Sequence, residues 1–273
     1  VNASVAATVT MSEHAVHPAL APYVKCIWSL ESDAPIVGAP RERILPDSCV
    51  ELVFHFHDAY LSHFASGEST LQPRGFVVGQ MRRFLEIEPM GRAGFVAVRF
   101  HARGAYLFFR RPLHEVAAGV VDVEDLWRDR AREWTERIAA AKAMPERLRV
   151  IEQALVGLLR ENGRTDRAVD RALQIIEGSR GRLRVSDLAA EIGVSDRHLS
   201  RQFRRAVGLG PKEFARITRF LRSLELVMAA GRRPLADVAV DCGYYDQAHF
   251  NHEFRELAGM SPGDLATLPG VSF

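Results

Sequence analysis

A pattern written twice in the C-terminal third limits this chain more than any other feature of it. Aligning residues 185–203 with residues 235–254 pairs Leu188 with Val238, Ala189 with Ala239, Ile192 with Cys242, Gly193 with Gly243 and Asp196 with Asp246, all fifty apart. One inserted residue moves the offset to 51, and Leu199 then meets Phe250, Phe203 meets Phe254, Gly208 meets Gly259 and Pro211 meets Pro262. Such a match calls for two copies of one supersecondary unit.

Each copy has the physics of a helix-turn-helix. Ser186 or Asp187 can cap a short helix whose Val185, Leu188, Ala189 and Ile192 share one face. Gly193 supplies the positive φ that ends it and starts a sharp turn. Ser195 caps a second helix with Leu199 and Phe203, four apart, as its buried stripe. Arg197, Ser200, Arg201, Arg204 and Arg205 are left on the outside. Arginines projecting from a packed helix suit a DNA groove, because guanidinium pairs bidentately with guanine or phosphate. Between the copies, Gly208 closes the first reading helix and Pro211 opens a long one carrying Phe214, Ile217, Phe220, Leu221 and Leu224, with Gly231 and Pro234 at its end. A strut of that kind sets two reading heads roughly 34 Å apart on one face of DNA.

Charge divides unevenly along the chain. Residues 178–222 carry eleven Arg and Lys against four acids, a net +7, whereas residues 223–273 carry three against seven, a net −4. A single-sign cluster of this density favours a polyanion.

On these residues the stretch from about Asp166 to Leu265 resembles the DNA-binding domain of the AraC/XylS family of bacterial transcription regulators. The resemblance rests on Asp187-Leu-Ala189, Ser195, Leu199-Ser-Arg-Gln-Phe203, Gly208-Leu-Gly-Pro211, Asp237-Val-Ala239, Cys242-Gly-Tyr244, Phe250, Phe254 and Gly259-Met-Ser-Pro262. It implies that Arg197, Ser200 and Arg201 meet base edges from the first head. Gln247, His249, Asn251 and His252 fall at the corresponding positions of the second. His252 stands where the family often has a basic residue, and Asp246 and Glu253 flank the same helix. Acids facing phosphate are repelled, so the second head is expected to bind weakly or through hydrogen bonds alone.

The 273 residues are 47% hydrophobic and 26% charged, enough for two soluble domains with cores. Before residue 165 the pattern is of short strands, at 23–30, 44–45, 50–56, 75–78, 84–87 and 95–100, separated by Pro and Gly. Past Arg103 it turns helical, with Leu126, Trp127, Trp134 and Ile138 on one face and a further helix opened by Pro145. The expected fold is α+β: an N-terminal small β-barrel or sandwich with helices, then an all-α double helix-turn-helix. The domains read as a flexible N-terminus at 1–16, a sensor or dimerisation domain at 17–165 and the DNA-binding domain at 166–273. Arg43-Ile-Leu-Pro-Asp47, Glu51-Leu-Val-Phe54, Gly79-Gln80, Val98-Arg-Phe100 and Asp125-Leu-Trp127 resemble the N-terminal domain of a subgroup of AraC-type regulators, which implies a cupin-like domain that senses an effector or dimerises.

Trp28, Phe95, Arg99 and His101 are candidates for an effector pocket, with Arg99 either holding an anion or forming a structural ion pair. His55 and His57 tempt a metal reading, as in metal-dependent cupins. Val50, Leu52, Phe54 and Phe56 form the natural core face, however, which turns both histidines outward. Three scattered cysteines, Cys26, Cys49 and Cys242, exclude a disulfide framework and a Cys-based zinc module. No apolar run reaches a membrane span and residues 1–16 lack a signal-peptide pattern, so the expected location is cytoplasmic, with the start open between Val1 and Met11. The reading is a one-component transcription regulator, not an enzyme, without cofactor or metal. Its expected partners are promoter DNA, RNA polymerase, a small-molecule effector and a second copy of itself. The alternative is a metal-binding cupin enzyme fused to a DNA-binding module.

Overall fold

The computed structural model describes residues 7–109, 111–116, 119–161, 166–229 and 233–265. Its N-terminal part contains β1 (Val9–His14), β2 (Val24–Pro35), β3 (Glu42–Ile44), β4 (Val50–His55), β5 (Tyr60–Phe64), β6 (Ser69–Leu71), β7 (Gly75–Val78), β8 (Leu85–Pro89), β9 (Arg92–Phe100) and β10 (Val120–Asp122). They form two antiparallel sheets, one in the order β1-β2-β9-β4-β7-β10 and one in the order β3-β8-β5-β6. The arrangement is a sandwich and not a closed barrel. Four helices follow: α1 (Tyr106–Phe109), α2 (Val123–Trp127), α3 (Asp129–Ala140) and α4 (Met144–Glu161).

Alternation along β4 explains the layering. Val50, Leu52 and Phe54 point to a core shared with Phe108, Trp127, Trp134, Ile151 and Leu155 of the helices. Val53 points the other way, into a core between the sheets with Tyr60, Phe76, Phe95 and Ala97. Both faces of the large sheet are therefore covered. That overturns the expectation for His55, which is 2% exposed between the sheets rather than on the surface. Its ring stacks on Tyr60 and Phe76, and its Nε2–H donates to Gln72 Oε1 at 2.9 Å. His57 turns away, to Glu31 at 3.3 Å.

Other boundaries also move. Val9–His14, expected to be flexible, pairs with β2 from Val9↔Ser32 to His14↔Ile27. The helix expected through Trp127 and Ile138 breaks at Arg128, where φ is +52. Trp127 and Trp134 still pack together, with ring centroids 5.7 Å apart.

The C-terminal part is helical: α5 (Arg167–Gly178), α6 (Val185–Ile192), α7 (Asp196–Val207), α8 (Pro211–Met228), α9 (Leu235–Asp241), α10 (Gln247–Ala258) and α11 (Pro262–Leu265). One head gathers Leu188, Leu199, Phe203, Val207 and Phe214 around α5. The other gathers Phe220, Val238, Phe250, Phe254 and Leu257. α8 contributes to both cores, its start to the first and its middle to the second. Pro211 opens it, and Glu213 accepts from the Gly210 amide at 2.9 Å. Gly231 lies outside the described residues.

The copies superpose in register with one revision. Ser195 caps α7 by accepting from the His198 amide, and Asp246 caps α10 by accepting from the His249 amide. Asp246 is thus the partner of Ser195, not of Asp196, and the extra residue falls in the turn. Ser186 lies inside α6, whose preceding Arg184 makes no side-chain cap.

The two parts are in contact. Leu45 enters the core of the second head and Ala102 that of the first. The 3-10 turn Leu113–Glu115 packs on α7, and Arg205 Nε donates to Tyr106 Oη at 2.8 Å. At the other head the Phe84 amide donates to Leu257 O at 2.9 Å, and Arg43 Nη1 donates to Ala258 O at 3.2 Å.

Candidate nucleic-acid interface

The turn that leads into the first reading helix has Gly193 in the left-handed region at φ +78, which a β-carbon would strain. Ser195 then satisfies an otherwise unpaired amide of the first turn. Leu199, Phe203 and Val207 are fully buried, which fixes the rotation of α7 and turns Arg197, Arg201 and Arg204 to solvent. None of these three forms an ion pair among the described residues. Arg201 Nη2 lies 3.4 Å from His198 Nδ1. Ser200 is half-buried, and Arg205 is exposed but held by Tyr106. Gly208, at φ +95, ends the helix as expected.

Not all of the basic charge counted in the sequence is available. Arg216 and Arg219 pair with Glu253 at 3.0 and 2.9 Å, and Arg222 pairs with Glu225 at 2.8 Å. Arg197, Arg201, Arg204 and Arg205 of α7 have no ion-pair partner among the described residues and contribute half of the eight cations that remain.

The second head differs from its expected chemistry in a specific way. Glu253, read as an acid facing DNA, is 6% exposed and pairs with Arg216 and Arg219 of α8. Asp246 is occupied as a cap. Glu253 is thus turned away from the outward face, whereas Asp246 stays exposed at the first turn of α10, at the position Ser195 holds in the first copy. Gln247, His249 and His252 are exposed, while Asn251 is half-buried with its Oδ1 buried and unpartnered among the described residues. His249 braces its own turn: Nδ1 accepts from the Tyr245 amide at 3.3 Å, and the ring lies edge-on to Tyr244.

Arg255 was missed. In the 51-residue register it is the counterpart of Arg204, just as His252 is of Arg201 and Ala248 of Arg197. The repeat itself held the signal that could have found it.

In the N-terminal part, Trp28, Phe95 and Arg99 do come together, and His101 does not join them. Trp28 Nε1 and Arg99 Nε both donate to Glu51 Oε1, at 3.0 and 2.8 Å, and Arg99 lies 3.4 Å from Asp47. Phe95 sits edge-on to Trp28 at 5.1 Å. Burial pushes the Glu51 carboxyl up, against the opposing pull of Arg99. Arg99 is thus in a structural ion pair, with its charge already matched by two carboxylates. His101 lies past the end of β9, and partial burial lowers its imidazole pKa, with Arg103 and Lys25 adding to the effect. Among the described residues no three His, Cys, Asp or Glu side chains converge in a way that could hold a metal ion. No helix among them is long and apolar enough to cross a membrane.

Comparison with known proteins agrees with this division. Residues 188–267 match a family described as a helix-turn-helix domain, and residues 12–122 match one described as a domain of unknown function, DUF6597. A protein of Streptomyces antibioticus assigned as an AraC-like transcription regulator is 34% identical over 88 residues, which cover 31% of this chain and 28% of that protein. The HTH-type transcriptional activator RhaS of Klebsiella pneumoniae is 30% identical over 79 residues, 29% of this chain and 28% of the relative. Each of these matches therefore spans well under two thirds of the relative. Among solved structures, the C-terminal domain of AraT, a response regulator from Geobacillus stearothermophilus, is 26% identical, with a TM-score of 0.37, and covers 40% of this chain and 92% of that one.

Proposed function

We propose that this chain, whose C-terminal portion is an AraC-type helix-turn-helix domain, is a transcription regulator that binds promoter DNA through both heads. The observation that carries the reading is the outward stripe of α7. Arg197, Arg201 and Arg204 stand exposed on a helix whose other side is packed, with no ion-pair partner among the described residues. Arg197, Arg201 and Ser200 read base edges, while Ser195 and Arg204 hold phosphate, and Arg205 joins them when it leaves Tyr106. On the second head Gln247, Asn251 and His252 approach DNA, with His249 serving the turn.

The N-terminal sandwich governs when the heads engage, by binding a small effector or by pairing two copies of the chain. An effector acts only through different affinity for two arrangements of the domains. RNA polymerase is the further partner such a regulator addresses. The test is in-vitro selection of duplexes by the full chain, followed by titration of the recovered sequence with Arg201→Ala. Enrichment of a defined sequence and a large loss in the variant are expected. Failure to enrich any sequence at low salt defeats the reading.

A further inference from the structure

We propose that the N-terminal domain completes the DNA-binding surface of the second head: Arg83 and Arg255, one from each domain, together hold a backbone phosphate beside α10. This rests on the reading of the C-terminal domain given above.

The second head is short of charge. Where α7 turns Arg197, Arg201 and Arg204 outward, the 51-residue register gives α10 Ala248, His252 and Arg255. One permanent cation replaces three. The deficit is met from outside the domain. A solvent-open concavity of about 360 Å³ lies between the two parts of the chain, lined by Ala65, Arg83, Phe84, His252, Arg255 and Glu256. His252 belongs to the outward stripe, so DNA docked on α10 lies against this concavity.

Arg83 is held there by its neighbours on both sides. Arg82 Nε pairs with Glu213 at 3.2 Å, and the Phe84 amide donates to Leu257 O at 2.9 Å. The Phe84 ring occupies the space where Gly259 has no side chain; a β-carbon there would come within 2.3 Å of it. Arg43 stacks on the same ring at 4.4 Å and donates to Ala258 O. These contacts fix the backbone of residues 82–84 against the end of α10.

Charge accounting leaves the concavity positive. The acid on its wall is Glu256, which is already engaged by Arg216, while Glu253 is shared by Arg216 and Arg219. Those two acids and two arginines cancel. Arg83, 60% exposed, stands 3.8 Å from Glu256 in a loose pair, and Arg255 makes no ion pair among the described residues. Asp264 feels Arg255 only through space, its carboxyl being held by Ser261. Two guanidiniums facing one opening suit a phosphodiester, which accepts from both.

The test is fluorescence-anisotropy titration of the full chain on the selected duplex across a salt series, with Arg83→Ala, Arg83→Lys, Arg255→Ala and Arg201→Ala. Arg83→Ala is expected to weaken binding about threefold to tenfold and to reduce the log–log salt slope by about 0.9, the value for one lost phosphate contact. Arg83→Lys is expected to restore the slope, and Arg255→Ala to match Arg83→Ala. If Arg83→Ala keeps wild-type affinity and slope while Arg201→Ala weakens binding about tenfold or more, this proposal is overturned and the DNA-binding reading stands. If Arg201→Ala also binds normally, the parent reading falls and takes this one with it.

Discussion

At the scale of single residues, Arg201 and His252 occupy the same position of the two copies and differ in charge. A guanidinium paired to a base or phosphate is worth about 1–3 kcal/mol, so Arg201→Ala should weaken DNA binding about tenfold to a hundredfold. His252→Ala should cost several times less; equal losses in parallel titrations would refute this asymmetry. Glu253 makes a different point. Replacing it with Ala takes the acid from Arg219 and leaves Arg216 with Glu256. We expect a loss of about 2 kcal/mol, below the roughly 3–5 of a fully buried pair because Arg216 stays partly wet, read as a lower denaturation midpoint. His55 adds pH dependence. Burial lowers its pKa, so the unfolded chain binds the proton more readily, and stability is lost as pH falls through the unfolded value of about 6.5. Comparing wild type with His55→Gln at pH 7.5 and 5.5 isolates this from Glu51, whose raised pKa acts in the opposite sense. The gap in stability between the two proteins should shift against the wild type on acidification.

At the scale of elements, the reading helices depend on their first turns. Ser195→Ala removes the side-chain cap of α7 and should cost about 1 kcal/mol in a thermal melt, with a parallel loss of DNA affinity. Ser195, Gly193, Gly208 and Pro211 were legible from sequence because caps, left-handed glycines and helix-opening prolines act locally. β7 was legible too, bounded by Pro73 and Gly79 as an apolar run of four. β5, β6 and β10 were not. Their three to five residues carry little alternation, and they exist because longer neighbours offer them a ladder. His55 was misplaced for a related reason. An alternating strand reveals two faces, but not that a second sheet will cover the more polar one. Glu253 was misread because it follows the outward His252, while the arginines that bury it lie more than thirty residues away.

For the whole molecule, the sandwich touches both heads, at Arg205 of α7 and around Glu256 of α10. Tyr106→Phe removes the hydroxyl that holds Arg205 and frees its guanidinium for phosphate. Binding should tighten about twofold to fivefold, with a salt slope steeper by about 0.9. An unchanged slope would show that Arg205 already reaches DNA in the wild type. The reading part was legible in its twice-written unit, and the sandwich before it in short strands separated by Pro and Gly. Their mutual contact was not, since it joins Tyr106 to Arg205 and Phe84 to Leu257 across long stretches of chain.

Arg205 and Glu256 are counterparts in the duplicated unit, one position seen twice. Twin landing places invite a mistake: the sandwich could settle the wrong way round. The opposite signs of those two side chains guard against it, because a reversed docking would press Arg83 towards Arg205 and like charges would push the pieces apart. Divergence between the copies thus does more than tune what each one reads. It tells the rest of the protein which copy is which.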